Sequence, residues 1–405
     1  MTLDEGRLRA RLATALGVDG GSSDLLQGHP NLLASTPVFL SGGEVEQMRK
    51  IVGAVEAVVR NEAYRARALA DLAETTRVDR GALGAFLGFD FHLSADGPKL
   101  IEINTNAGGA LLTITQGYAQ RPCCDSIRDA VGTVDASALE GVLLEMLCNE
   151  WRLERGEEEL HSIAIVDRSP SAQFLYPELL LFQRLFERRG LRAAVADPGE
   201  LTLREGRLWL RGSPIDLIYN RLTDFLLESP GNRVLREALL EGAVVVTPSP
   251  RAHALYANKR NLTILSDAEL LRSWNVEPAH IDTLESGVPR SVLVTSENAD
   301  TLWSRRRELF FKPLAGYGSR GAYRGSKLTR RVWRSIVESD YVAQQLVPPS
   351  HRSVPVDDQL RELKLDVRCY VYDGEIQLLG ARMYRGQTTN FRTEGGGLAS
   401  VFTAR

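Results

Sequence analysis

Several features that would assign this chain to a particular class are scarce in its sequence. Only four cysteines occur among 405 residues, too few for the disulfide framework of a small secreted domain. Cys123 and Cys124 are adjacent, and Cys148 and Cys369 stand alone, so no cysteine has the spacing of a zinc site. The six histidines are scattered. We therefore expect reduced, partly buried thiols and no nucleophile–histidine mechanism.

Charge and hydropathy argue against two further classes. The formal net charge is −3, so the chain lacks the basic stripe that nucleic-acid binding requires. It has no run of eighteen apolar residues, and its first thirty residues lack the apolar core of a signal peptide. We expect a cytoplasmic protein with neither a nucleic-acid nor a membrane partner. Its length allows two or three domains, each with its own core.

The first part of the chain predicts a helix and a hairpin. Apolar residues recur at intervals of three and four over residues 41–60, and Ser41 with Glu44 forms a candidate capping box at the start. Residues 88–93 and 99–104 read as two strands joined by a polar turn. This part, residues 1–155, forms the first predicted region.

The other two regions differ from the first in sequence pattern and composition. Residues 156–250 alternate strands with helical segments, which predicts a small parallel α/β domain; its predicted elements are strands at 161–167, 192–197, 214–221 and 242–250 and a helix at 173–190. Residues 251–405 are richer in glycines and cations, with predicted strands at the two ends of 309–325 and within 341–349 and 363–386. The overall expectation is a mixed α/β (α+β) fold.

A possible metal site lies in the predicted hairpin. Side chains alternate along a strand, so Glu102 and Asn104 share one face. Asp90 lies on the partner strand, twelve positions earlier. Carboxylate and amide oxygens suit Mg²⁺, which commonly bridges protein and phosphates.

The glycine-rich segment after residue 313 allows several structural interpretations. Gly316, Gly318 and Gly321 fit G-x-G-x-x-G, but the P-loop lysine motif is absent and no helix follows, which disfavours a dinucleotide fingerprint. A glycine hairpin that folds over a triphosphate and a plain surface hairpin both remain open. Lys312, on the apolar strand that enters this segment, favours an anion nearby because burying an ammonium group is unfavourable.

Two further groups of polar residues could complete such a site. Asp366 and Arg368 share a strand face, where a carboxylate can present a guanidinium to phosphate or form only a solvated ion pair. Asn220 and Arg221 end a predicted parallel strand, where α/β sheets usually bind ligands. Arg221 could hold a substrate carboxylate there or lie in solvent.

Together these segments resemble the ATP-grasp superfamily, in particular its circularly permuted branch, which includes eukaryotic-type glutathione synthetases and glutathionylspermidine synthases. The matching segments are residues 102–104, 258–262, 310–321, 342–347, 366–368 and 381–397. In unpermuted members the metal strand follows the glycine loop, whereas here it precedes the loop by about two hundred residues. The resemblance therefore implies a circularly permuted grasp whose first hundred residues pack against its last fifty, beside a parallel substrate-binding domain.

The resemblance also implies roles for individual residues. ATP would be bound by Lys259, Lys312, Gly316, Gly318, Ser319, Gly321, Gln344, Gln345, Leu346 and Val347. Two Mg²⁺ ions would be held by Glu102, Asn104 and Asp90. The transferring phosphoryl group would meet Arg368, Arg382, Asn390 and Arg392. Either Lys259 or Arg260 would point towards the phosphates.

The implied activity is an ATP-dependent carboxylate–amine ligase that forms an amide through an acyl phosphate. Its partners would be a small-molecule or peptide carboxylate and an amine, and related ligases are often homodimers. The glycine loop lacks the acidic ligand of eukaryotic glutathione synthetases, and no glutathione-recognising loop can be matched, which weakens the expectation that glutathione is the product. A grasp phosphotransferase and a nucleotide-binding module without catalysis remain alternatives, although the three potential metal ligands argue against the latter.

Overall fold

The structure is a computed structural model that describes residues 1–17, 28–314, 321–356 and 359–404. Its strands are β1 Thr2–Leu3, β2 Val38–Ser41, β3 Leu87–Ser94, β4 Gly97–Asn104, β5 Gln120–Arg121, β6 Ser162–Val166, β7 Arg192–Ala196, β8 Leu201–Arg204, β9 Arg207–Leu210, β10 Ser213–Ile215, β11 Leu217–Asn220, β12 Val245–Thr247, β13 Ser291–Leu293, β14 Leu309–Pro313, β15 Tyr323–Arg324, β16 Tyr341–Gln345, β17 Ser350–Val356, β18 Gln359–Tyr372, β19 Glu375–Tyr384 and β20 Gly397–Ala404.

The α-helices lie between these strands. They are Glu5–Leu16, Gly42–Val59, Glu62–Ala68, Ala110–Ala119, Asp125–Val131, Ala136–Arg155, Tyr176–Arg188, Arg233–Glu241, Pro250–Ala252, Asn261–Leu265, Ala268–Ser273, Pro278–Gly287, Ala299–Ser304 and Arg330–Val337. A π-helical turn, His253–Ala257, continues Pro250–Ala252. Within the described segments, no helix has the length and apolar character needed to cross a membrane.

The largest sheet joins the two ends of the chain. Its strand order is β2-β20-β19-β18-β3-β4, and β17 also pairs with β18. The early strand β3 lies antiparallel to the late strand β18, and β2 lies parallel to β20. The first hundred residues thus pack against the last fifty, as the order of the sequence motifs predicted.

One face of this sheet is an apolar core. Alternate residues of β18, including Leu363, Leu365 and Val367, are fully buried on that face. The helix Gly42–Val59 packs over them and begins with the predicted capping box, in which Ser41 and Glu44 exchange hydrogen bonds. Because side chains alternate, the residues between them on β18 face the opposite side.

A smaller antiparallel sheet, in the order β13-β16-β14-β15, lies in the third predicted region. Phe311, Ala343 and Trp333 pack together on one side of it, under the helices Ala299–Ser304 and Arg330–Val337. The register places Lys312 opposite Val342 and Phe310 opposite Gln344, so Lys312 and Gln344 share the other side.

The middle of the chain forms a parallel sheet in the order β12-β11-β6-β7. The single strand expected over residues 214–221 is divided into β10 and β11 at Asp216. The Asp216 carboxylate accepts hydrogen bonds from the His161 N–H and the Ser162 hydroxyl, both 3.0 Å or less away. These hydrogen bonds fix the chain at Asp216, where β10 leaves the parallel sheet and joins a separate sheet with β8 and β9.

Candidate active site

A β-bulge shapes the hairpin that carries the predicted metal ligands. Asp90 pairs with Glu102 and Phe91 pairs with Leu100, so Ile101 is an extra residue on β4. A bulge leaves its extra residue unpaired. The Ile101 carbonyl accepts a hydrogen bond of 2.6 Å from the Lys312 ammonium group, which ties the strand before the glycine segment to the metal strand.

The ionisable face of the large sheet crosses four strands. Arg368 on β18 lies opposite Asp90 on β3, which lies opposite Glu102 on β4. On the other side of β18, Asp366 lies opposite Arg382 of β19. Directly paired residues share a face, so these five groups line one surface. The hydrogen bond from Lys312 to Ile101 brings the small sheet against the edge of this surface.

Asp90 is held by two guanidinium groups. It is 1% exposed and accepts from Arg368 Nε and Nη2 at 2.6 and 2.7 Å. Arg382 Nη2 lies 2.8 Å from its Oδ2, and the Asn104 amide donates to the same oxygen at 3.0 Å. Burial alone would raise the pKa of Asp90, but Arg368 and Arg382 outweigh it and hold the pKa below its usual value.

A second carboxylate completes this network. Asp366 accepts from Arg382 Nε at 2.7 Å and from the Thr389 hydroxyl at 2.6 Å. Arg368 and Arg382 each use Nε and Nη2 in these contacts, and no hydrogen bond of either Nη1 is recorded among the described residues. A guanidinium has five donors. Each arginine therefore keeps a donor for a ligand while two carboxylates fix its plane.

Glu102 lies near two ammonium groups. Burial alone would raise its pKa, but Lys312 and Lys259 outweigh that effect, so the pKa lies below its usual value and the carboxylate is ionised. Burial lowers the pKa of Lys312 to about 8, with Glu102 partly opposing that shift. Lys259 is half-buried and influences Glu102, whereas Arg260 is exposed. We conclude that Lys259 is the inward-facing cation of the pair.

The segment predicted to bind the adenine edge divides between the two sides of the small sheet. Gln344 is 3% exposed, and its Nε2 has no hydrogen-bond partner in the described structure. The backbone N–H groups of Gln345 and Leu346 are already engaged with Arg290 and Glu308 carbonyls. Gln345 and Leu346 line a separate cavity of about 710 Å³ on the opposite side. Of Gln344, Gln345 and Leu346, Gln344 is thus the one whose side chain lies on the side of Lys312.

His92, which belongs to none of the sequence motifs, fixes the end of this segment. Its Nδ1 lies 2.7 Å from the Val347 carbonyl, so Nδ1 carries the proton and donates. Burial lowers the pKa of His92, and the nearby charges of Lys312 and Arg382 act in the same direction while Asp366 opposes them. A single histidine two residues after Asp90 in the strand was the available signal, because both residues project from the same face.

The predicted glycine lid is described only at its end. Gly316, Gly318 and Ser319 lie outside the described residues. Gly321 adopts a φ of +71°, which favours glycine, and its carbonyl accepts from the Tyr341 hydroxyl at 3.0 Å.

Two residues expected at the transferring phosphoryl group are placed differently. The Asn390 amide donates to the Arg385 carbonyl at 2.7 Å and accepts from the Arg392 N–H and the Thr393 hydroxyl. Asn390 therefore holds the shape of its own loop. Arg392 is exposed at the surface, and the hydrogen bonds and ion pairs of the described residues connect neither side chain with Arg368. A loop without regular structure gives no periodicity from which these orientations could be read.

The glycines after Asn104 are explained by crowding. A Cβ on Gly108 would meet Leu175 and lie 2.9 Å from Arg221 Nη2, and Gly109 has a φ of +100°. The buried Glu178 carboxylate accepts from the Gly109 N–H at 2.7 Å, and Tyr370 donates to the Gly108 carbonyl at 2.8 Å. Glycine allows these approaches because it lacks Cβ.

The predicted substrate arginine reaches this same loop. Arg221 is 6% exposed and donates from Nη1 to the Ala107 carbonyl at 3.1 Å, three residues beyond Asn104. Its Nε is buried without a partner in the described structure. Asp167, at the end of neighbouring β6, has a pKa raised by burial to about 6, although Arg221 partly opposes the shift. Asn220 instead donates to the Pro248 carbonyl at 3.1 Å, which is a structural contact.

A histidine on the π-helical turn also borders this loop. His253 Nδ1 lies 3.2 Å from the Thr105 hydroxyl, and its ring stacks on Phe225 with centroids 4.0 Å apart. Burial, reinforced by Lys259, lowers its pKa to about 3, so the ring is neutral. Neither contact could be derived from the scattered histidines of the sequence.

The available oxygen donors fit a magnesium site with few protein ligands. Glu102 is an ionised carboxylate and Asn104 offers an amide oxygen, whereas both oxygens of Asp90 are engaged by cations and an amide. Mg²⁺ is commonly held by one or two carboxylates and keeps several waters. Among the described residues, no group of three or more His, Cys, Asp or Glu side chains could hold a metal ion.

Comparisons with known proteins place this geometry in a structural context. No protein-family model matches the sequence, and a comparison with curated proteins finds no match. A glutathione synthetase-like effector from Globodera pallida is similar in structure, with a TM-score of 0.56, 11% sequence identity, and coverage of 99% of this chain and 98% of that chain. A putative gamma-glutamylcysteine synthetase from Methylobacillus flagellatus has a TM-score of 0.49 and 10% identity over 89% of this chain and 87% of its own.

A third similar structure is the ATP-grasp ligase PsnB, with a TM-score of 0.31 and 17% identity over 60% of this chain and 90% of its own. Only the first likeness is close enough to establish a common fold. The chain therefore shares its fold with this glutathione synthetase-like effector, which agrees with the glutathione synthetase-type fold that the sequence motifs indicated.

Proposed function

We propose that the chain is an ATP-dependent carboxylate–amine ligase that forms an amide through an acyl phosphate. The observation that carries this proposal is the juxtaposition of Lys312, Glu102 and Arg368 where the small sheet meets the large one. The 2.6 Å bond from Lys312 to Ile101 and the pairing of Arg368 with Asp90 join three distant segments. A magnesium-bound triphosphate matches this mixture of fixed cations and one ionised oxygen donor.

ATP would lie in a cleft between the two sheets. Lys312 and Lys259 would face its phosphates, and the Gln344 amide would supply its unpartnered donor to the base. The early position of the metal strand supports a circularly permuted grasp, since β3 and β4 complete a sheet built mainly from the last fifty residues.

Glu102 and Asn104 would hold Mg²⁺, which supplies charge neutralisation at the transferring phosphoryl group when bound. Asp90 is assigned a different role from the one its sequence position suggested. Its oxygens already accept from Arg368 and Arg382, so we assign it the positioning of these two arginines.

The carboxylate substrate would bind at Arg221. The buried and unpartnered Nε of Arg221 is suited to a carboxylate oxygen, and the Ala107–Gly109 loop connects this arginine directly to the metal strand. The parallel sheet would thus serve as the substrate-binding domain, with the ligand at the carboxyl ends of β6 and β11.

The reaction then proceeds in two displacements. A substrate carboxylate oxygen attacks the γ-phosphorus of ATP, the bond to the β–γ bridging oxygen breaks, and ADP leaves with that electron pair. The amine nitrogen next attacks the acyl carbon, and the C–O bond breaks as phosphate departs, with one amine proton lost to solvent or phosphate. Arg368 and Arg382 stabilise the charge on the transferred group, because fixed donors need no reorganisation.

Hydroxylamine trapping tests this function. Purified protein, Mg-ATP and a panel of carboxylates are incubated with hydroxylamine, and ADP and hydroxamate are measured together. Equal amounts of ADP and hydroxamate would support the acyl phosphate, provided that Arg368→Ala abolishes ADP release. A stable phosphorylated product formed in a parallel incubation without hydroxylamine or any other amine would instead establish the phosphotransferase. ATP binding without ADP release from any carboxylate would contradict both enzymes.

A further inference from the structure

The outer end of the proposed cleft carries several cations. Arg324 and Lys327 follow the predicted lid, Lys364 lies on β18, and Arg385 begins the loop after β19. Arg324, Lys327 and Arg385 are exposed, and Lys364 is half-buried. We refer to these four residues as the cationic mouth.

Two hydrogen bonds bring the parts of the cationic mouth together. The Lys364 ammonium donates to the Gly386 carbonyl, and the Gln387 amide donates to the Ala322 carbonyl at 3.1 Å. The loop after β19 is therefore fixed both to β18 and to the end of the lid. The pKa of Lys364 is lowered, by burial first and then by the nearby positive charges of Arg324 and Lys327, which agrees with a cluster of like charges.

Positive charges predominate in the cationic mouth. No ion pair of its four members is recorded within the part of the chain that the structure describes. Glu362 lies two residues before Lys364 on β18 and accepts a hydrogen bond from the uncharged Ser353 hydroxyl, so this carboxylate offsets part of the positive charge. The remaining excess of positive charge favours an anionic ligand.

The position of this cluster separates it from the proposed nucleotide and carboxylate sites. Lys364 shares the ionisable face of β18 with Arg368, four residues away, which corresponds to about 13 Å along a strand. The same loop reaches the parallel sheet region through Phe391, whose ring stacks on Phe174 with centroids 5.0 Å apart.

We propose that the cationic mouth binds carboxylate groups of the amine substrate, so that the second substrate is an acidic amine such as the amino terminus of a glutamate-rich peptide. This proposal rests on the proposed ligase function and specifies its second substrate class. The nucleotide and the first carboxylate are assigned to Lys312 and Arg221, which leaves the amine for the outer cations. One anionic contact at a half-exposed site gives about a tenfold effect on affinity.

The test uses the full chain saturated with a non-hydrolysable ATP analogue and two fluorescent probes, tetraglutamate and tetraglutamine, each with a free amino terminus. Wild-type protein is expected to bind tetraglutamate at least about tenfold more tightly than tetraglutamine, and the preference should shrink as salt is raised. Lys327→Gln combined with Lys364→Gln should abolish the preference, and the exposed Lys327→Gln alone should reduce it. Lys50→Gln, an exposed lysine on a distant helix, should leave it intact.

Equal affinity of the wild-type protein for both probes would overturn the proposal, as would a preference that survives in the double variant. A parallel loss of affinity for the ATP analogue would also overturn it, because the cations would then belong to the nucleotide site. The hydroxylamine assay separates the two levels of inference. Hydroxamate formation without a tetraglutamate preference would refute only the cationic mouth, whereas a preference without ADP or hydroxamate would refute the ligase.

Discussion

Replacing Asp90 with asparagine separates its positioning role from a metal-binding role. The change preserves size and removes one buried charge. Asp90 is 1% exposed, accepts from Arg368 at 2.6 and 2.7 Å, and lies 2.8 Å from Arg382. The substitution therefore leaves Arg368 buried without its carboxylate partner.

The size of the effect follows from these contacts. Removing one partner of a buried ion pair costs about 3–5 kcal/mol. Arg382 keeps Asp366 at 2.7 Å, so we expect the lower end, about 3 kcal/mol of unfolding free energy. The matched control is Asp373→Asn, since Asp373 pairs with Arg60 at 3.0 Å while both side chains are more than half exposed. An exposed pair contributes less than about 1 kcal/mol.

Urea unfolding in the presence of EDTA measures both variants without bound metal. Positioning by Asp90 predicts a loss of about 3 kcal/mol for Asp90→Asn and less than about 1 kcal/mol for Asp373→Asn. If Asp90 served mainly as a metal ligand, removing its charge in the absence of metal would relieve its repulsion with Glu102. An Asp90→Asn variant as stable as wild type under these conditions would refute the positioning role.

Three further predictions concern the proposed site. Glu102→Gln and Arg368→Ala should each lower turnover by at least about a hundredfold in ADP-release assays, the scale of one lost transition-state contact, and near-normal rates in both would contradict their roles. Lys312 is protonated below its pKa of about 8 and loses its charge above it. The affinity of the wild-type protein for a non-hydrolysable ATP analogue should therefore fall as the pH rises from 8 to 10, whereas that of Lys312→Arg should not. Calorimetry at constant ionic strength measures both affinities. Gly108→Ala should impair ADP release because the new Cβ would approach Arg221. Gly231→Ala is the control and should retain ADP release, because the space around Gly231 is open. Equal activity of the two variants would contradict the crowding at Gly108.

The local patterns of the sequence predicted many of the elements. The capping box at Ser41, the alternation of Glu102 and Asn104, and the hairpin at residues 88–104 correspond to observed structure, because each depends on near neighbours. The pairing of the early hairpin with β18 also followed, since the order of the motifs required it.

The partners of individual charges could not be read in the same way. The position of Asp90 near Glu102 predicts a metal ligand, but its partner Arg368 is 278 positions away. The polarity of Asn390 predicts a contact with the phosphoryl group, whereas its hydrogen bonds stabilise its own loop. In both cases the orientation depends on tertiary contacts that no local periodicity encodes.

The most direct test is a crystal structure of the protein with a non-hydrolysable ATP analogue and Mg²⁺. A shared cleft predicts a triphosphate between the two sheets, contacted by Lys312 and bound through metal to Glu102. A nucleotide that contacts only one of these two residues, or that binds outside the space between β4 and β14, would contradict it.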